Sequence, residues 1–166
     1  PGMGTDFIIH LPASSHEKIS PKEEKLSKRI HSGLKILVVD DEKNQRVLLK
    51  EYLQEEHHQV EVATNGMEGM QKFHNGWYDL IITDRAMPEV NGDALARAIK
   101  SIAPKKPIIM LTGFGDMMEA SGEKPEMVDQ VMSKPVPLAM LSETIEAVMA
   151  GKTKGDKKKN DGCTDR

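Results

Sequence analysis

Cysteine occurs once in the 166 residues, as Cys163 in a polar tail, so no intrachain disulfide can brace the fold. A lone thiol fits a reducing compartment, and the cytosol is the expected location. Long apolar runs are missing too. The longest, such as residues 36–39 and 80–82, have strand length and fall far short of the roughly 20 residues a membrane helix requires. No basic segment followed by an apolar stretch opens the sequence, so no secretion signal is expected. A basic surplus is also lacking: the formal net charge is -3, which makes nucleic acid an unexpected partner.

What is present is a globular balance, with 38% hydrophobic and 30% charged residues, enough for one domain with flanking segments. Residues 13–33, rich in Ser, Lys and Glu and ending in Ser32-Gly33, read as a linker. From Leu34 apolar runs alternate with amphipathic stretches, the pattern of a parallel sheet covered by helices. Strands are predicted at 35–39, 59–63, 79–83, 107–111 and 130–133. Helices are predicted at about 43–56, with Val47, Leu48, Tyr52 and Leu53 on its apolar face, and between Gly66 and Asn75, carrying Met67, Met70 and Phe73. Further helices are predicted at 92–102 and 138–149. Gly113, Gly115, Gly122 and Pro125 crowd the stretch after the fourth strand, so any helix there should be short or irregular. Trp77 and Tyr78, beside the third strand, read as core or rim packing. Beyond Gly151 the charged tail to residue 166, with Lys157–Lys159, reads as disordered.

In such a sheet the functional crevice forms beyond the carboxyl ends of the strands. Asp40 and Asp41 follow the first predicted strand, Asp84 the third, Thr112 the fourth and Lys134 the fifth. Three converging carboxylates repel one another and lose solvation on burial, and a divalent cation is the simplest compensation. Magnesium takes hard oxygen ligands and suits carboxylates together with a phosphate. It also makes a carboxylate a feasible nucleophile toward a phosphoryl group. Lys134 could pair with a carboxylate and then with a phosphoryl oxygen, and the Thr112 hydroxyl could donate to another. Singly, each residue has an ordinary explanation as a turn or cap; the weight lies in their conjunction at one end of successive strands.

The segments LKILVVDDE, DLIITDRAMPEVNG, IIMLTGFG and VMSKPV together resemble the receiver domain of bacterial response regulators, over roughly residues 34–149. The resemblance implies a doubly wound, flavodoxin-like α/β fold with strand order 2-1-3-4-5. It implies Asp84 as phosphoacceptor, Asp41 as a direct magnesium ligand, Asp40 as an acid-pocket residue near the ion and the Arg85 backbone carbonyl as a further ligand. Thr112 and Lys134 correspond to the switch hydroxyl and the phosphate-pairing lysine, and the Lys134-Pro135 bond should be cis. The implied activity is not that of a conventional enzyme: the domain catalyses its own phosphorylation from a phosphohistidine and its own dephosphorylation. One departure stands out, because Val131 occupies a position where the family usually has an aromatic residue.

Residues 2–12, GMGTDFIIHLP, resemble the closing glycine box and last strand of a histidine kinase ATP-binding domain. The implied organisation is a kinase remnant at 1–12, the linker at 13–33, the receiver at 34–150 and a tail at 151–166. The implied parent is a hybrid histidine kinase, a transferase. Partners would be a histidine kinase, or the upstream kinase core itself, and a histidine phosphotransfer protein. His16-Glu17, with Pro21 five residues after the histidine, resembles a kinase histidine box but follows the glycine box instead of preceding it. Two rival readings remain. One is a pseudo-receiver that only mediates protein contacts; the other is a phosphohydrolase of the haloacid dehalogenase type, which fits poorly because it wants Asp-x-Asp where this chain has Asp40-Asp41-Glu42.

Overall fold

A computed structural model describes residues 33–113, 125 and 127–151. The kinase-like segment at 1–12, nearly all of the linker, the glycine-rich stretch at 114–124, His16 and the tail beyond Gly151 lie outside the described residues.

Five strands form one parallel sheet: β1 (Lys35–Val39), β2 (Gln59–Ala63), β3 (Leu80–Asp84), β4 (Ile108–Thr112) and β5 (Gln130–Ser133). Their order is β2-β1-β3-β4-β5, as the resemblance implies. Four helices are described: α1 (Lys43–Glu55), α2 (Gly66–Asn75), α3 (Gly92–Ile102) and α4 (Leu138–Met149). None is long and apolar enough to cross a membrane.

The sequence of the central strands explains the two layers. In β1, Ile36 and Val38 face one way and Leu37 and Val39 the other, and all four are buried because helices cover both faces. Ile36, Val38, Leu80, Ile82, Ile109 and Leu111 pack with Leu49 and Leu53 of α1 and Leu141, Ile145 and Val148 of α4. Leu37, Val39, Ile81 and Ile108 pack with Leu95, Ala96 and Ile99 of α3, with Met70 and Phe73 of α2 set against them. Each fully buried aliphatic side chain contributes about 1.5–3 kcal/mol of transfer free energy.

Three sequence expectations shift. On α1, Val47 and Leu48 are 44% and 47% exposed, and Leu49 joins Leu53 inside instead; the adjacent apolar residues from Val47 to Leu49 leave the phase of the helix ambiguous. Met67 and Trp77 likewise sit on the surface. β3 and β4 each begin and end one residue later than predicted. Asp79 is outside β3, where its carboxylate accepts the Lys35 N–H at 2.8 Å, and Pro107 has no N–H to give the ladder. Asp84 and Thr112 are therefore the last residues of their strands.

Candidate acidic centre at the carboxyl edge

The order of the strands reverses at β1, since the chain leaves β1 for β2 on one side and returns to β3 on the other. The crevice opened by that reversal lies beyond the carboxyl ends of β1 and β3. Asp40 and Asp41 follow β1 and Asp84 closes β3. Their carboxylates each offer an oxygen within 4.8 Å of the others. Lys134, just past β5, reaches across to them: its Nζ is 2.9 Å from Asp40 Oδ2 and 2.8 Å from Asp84 Oδ1. Thr112 is buried at the end of β4, the strand beside β3, and its carbonyl accepts the Lys134 N–H at 2.8 Å. The Lys134-Pro135 peptide bond is cis. The fold thus brings Asp40, Asp41, Asp84 and Lys134 together, with Thr112 ending the neighbouring strand.

Electrostatic balance is poor here. Two unit charges at such separations repel by on the order of 3 kcal/mol at an effective dielectric of about 20, and Lys134 bonds only two of the three carboxylates, Asp40 and Asp84. Burial raises the Asp40 pKa above its ordinary value, although Lys134 and the Glu42 N–H, at 2.8 Å from Oδ1, act against the rise. For Lys134 burial works to lower the pKa, but hydrogen bonds to Asp84 and Asp40 outweigh it and the value is raised. The pocket therefore holds its lysine charged.

The loop from Asp84 to α3 is tightly pinned. Ala86 N–H donates to Asp84 Oδ2 at 3.2 Å, Arg85 N–H to the Leu111 carbonyl at 2.9 Å, and Gly92 N–H to the Arg85 carbonyl at 3.0 Å. A Cβ at Gly92 would stand 2.3 Å from the Asp84 carbonyl oxygen, so only glycine admits this closure. Glu89 adopts φ 62° within a turn closed by Val90 N–H on the Pro88 carbonyl, a left-handed conformation that costs a non-glycine residue about 1 kcal/mol.

Sequence reading passed over two residues. Arg46 of α1 donates from Nη1 to the Asp40 carbonyl at 2.7 Å, and Asp93 in the first turn of α3 accepts from Arg85 Nε at 2.9 Å. Asn91 caps α3 by accepting the Ala94 N–H. An Asn-Gly-Asp start to a predicted helix was the available signal for Asp93. Trp77 precedes β3 and so lies at the opposite end of that strand from Asp84.

The family model for the response regulator receiver domain matches residues 36–146. The sensor protein EvgS of Escherichia coli O157:H7 is 36% identical over 114 residues, 68% of this chain but 10% of that protein. The sensor kinase CckA of Brucella abortus is 27% identical over 158 residues, 89% of this chain and 17% of the kinase; transcriptional regulatory proteins also match. The crystal structure of the response regulator TrrA from Thermotoga maritima in complex with Mg(2+)-BeF is 36% identical and has a TM-score of 0.63, covering 69% of this chain and 98% of that one. This chain belongs to the response regulator receiver domain family.

Proposed function

We propose that Asp84 accepts a phosphoryl group from a phosphohistidine in a magnesium-dependent reaction, and that charge gained at this residue is the signal. The observation that carries the reading is the bridge of Lys134 between Asp84 and Asp40 inside a cluster of three carboxylates. A structural role alone would not call for two buried carboxylates, Asp40 and Asp84, sharing one lysine beside a third, exposed one.

A carboxylate oxygen of Asp84 attacks the phosphorus as the phosphorus–nitrogen bond breaks, and the donor imidazole leaves. Lys134 then turns from carboxylate to phosphoryl oxygen, a point charge suited to either. The Thr112 hydroxyl supplies a donor to a second oxygen. Asp40, Asp41, Asp84 and the Arg85 carbonyl, which accepts the Gly92 N–H, form an all-oxygen set that fits magnesium. When bound, the ion offsets charge on the transferring oxygens. The phosphorylated residue brings about two negative charges to a pocket that already holds two carboxylates. Loss of the phosphoryl group, by hydrolysis or by transfer to a histidine phosphotransfer protein, resets it.

The wider setting is a hybrid histidine kinase of the cytoplasm, with this receiver following the kinase core. The CckA match supports it. That alignment takes in 89% of the chain, whereas the receiver family match is confined to 36–146. Even if it included every residue after 146, it would still have to reach upstream of residue 36, into the linker at 13–33.

Incubation with acetyl phosphate and magnesium should add the mass of one phosphoryl group to the chain, and Asp84→Asn or chelation should abolish the addition. Labelling that survives in Asp84→Asn would overturn the assignment. No labelling of the parent chain by acetyl phosphate or by a phosphorylated histidine donor would favour the pseudo-receiver, the reading that Val131 in β5 keeps open.

A further inference from the structure

Arg85 follows the proposed phosphoacceptor directly, and its guanidinium is the cation nearest in sequence to Asp84. A guanidinium presents a planar fork of donors that matches a carboxylate in two-point fashion. Left to itself beside Asp40, Asp41 and Asp84, it is a natural competitor for the cation site. The chain instead commits it elsewhere. Arg85 Nε lies 2.9 Å from Asp93 Oδ2, with the two side chains 32% and 23% exposed. Asp93 is held in turn, because it sits in the first turn of α3, directly after Gly92, whose N–H closes on the Arg85 carbonyl, and two residues after the Asn91 cap. The backbone of Arg85 is therefore pinned by Leu111 and Gly92 while its side chain is drawn onto α3.

We infer that Asp93 is a positioning residue that keeps the Arg85 guanidinium out of the acidic centre, so that the carboxylates stay available to a divalent cation. The inference rests on the magnesium-binding reading above. Two features favour this role over a merely stabilising ion pair. A half-exposed pair of this kind contributes little to stability, typically under about 1 kcal/mol. And a competing +1 group would cancel half of the net charge left when Lys134 is set against the three carboxylates, weakening the attraction that a divalent ion depends on.

The test is a magnesium titration of the full chain by calorimetry. It is run in about 1 M KCl, where a Debye length of about 3 Å screens the long-range effect of one lost charge. Asp93→Ala should weaken magnesium binding about tenfold, the scale seen when an outer partner of a metal site is removed. The double variant Arg85→Ala/Asp93→Ala should bind as tightly as Arg85→Ala, the reference that keeps the backbone carbonyl but lacks the guanidinium. Recovery separates the competing guanidinium from simple disorder of the loop, which the double variant would retain. Asp93→Asn, which keeps the shape of the first helical turn, gives the same comparison if the alanine variant does not fold. Unchanged affinity in Asp93→Asn and Asp93→Ala, or a double variant as weak as the single, overturns the inference. A parent chain that binds no magnesium, or binds it equally after Asp84→Asn, instead overturns the functional reading.

Discussion

The two edges of the sheet use the same kinds of residue to opposite ends. At the amino edge, Lys35 Nζ meets Glu61 at 2.8 Å, Tyr78 donates its hydroxyl to the same carboxylate at 2.7 Å, and Asp79 accepts the Lys35 N–H. Lys100 and the Ile108 N–H share Asp129, and Lys106 donates to the Tyr78 carbonyl. Each carboxylate there faces a cation or a backbone donor, and each also ties one strand or helix to another. At the carboxyl edge Asp40 and Asp84 share one lysine, with the exposed Asp41 close beside them. Balanced charge at one edge fastens the strands; surplus charge at the other is a standing cost, which under the proposed function a bound cation would relieve.

The strongest way to break this contrast is to remove one lysine from each edge. Lys134→Met leaves Asp40 and Asp84, both buried, without the cation that bridges them, and should cost about 3–5 kcal/mol in chelator-containing buffer. Lys35→Met removes a cation whose pair with Glu61 is well exposed, and should cost under about 1 kcal/mol. Urea unfolding of the two variants measures the difference. Equal losses would mean that the carboxyl edge is not the strained one.

Much of this layout was legible in the sequence because burial on both faces of the sheet turns strands into unbroken apolar runs, as in residues 36–39. The polar residues that end those runs stand out by contrast, which is why Asp40, Asp84, Thr112 and Lys134 are conspicuous in the bare sequence. The phase of α1 is not. Val47, Leu48 and Leu49 are all apolar, and only the positions of β1 and α4 decide that Leu49 turns inward. Strand ends slipped by one residue because an Asp79 or a Pro107 reads equally well as the first residue of a strand or the last of a turn. Asp93 and Arg46 escaped notice for another reason: a charge near a helix start is explained by the helix itself, and its service to a loop eight residues away or to a neighbouring carbonyl depends on tertiary placement.

The edges should also answer pH with opposite signs, and this is the finer way to sharpen the contrast. Burial raises the Asp40 pKa above its usual 3.8 in the folded chain, so the native state holds this proton more tightly than the unfolded state. Its ionisation therefore subtracts stability as pH rises through the raised value, and the penalty is relieved on acidification. Glu61 runs the other way. Hydrogen bonds from Lys35 and Tyr78 lower its pKa from 4.5, so its contribution is full above 4.5 and is lost as pH falls through the lowered value. Asp40→Asn keeps an acceptor for the Glu42 N–H while removing the buried charge, and should raise stability at neutral pH without divalent cations by on the order of 1 kcal/mol. Glu61→Gln should lower it by about 0.2–1 kcal/mol. Denaturation from neutral pH down to the acid range should show the gain of Asp40→Asn shrinking as pH falls through the raised Asp40 value, and the loss of Glu61→Gln shrinking only below 4.5. If Asp40→Asn proves destabilising across that range, Lys134 outweighs burial at the carboxyl edge and the surplus charge there is already compensated without a ligand.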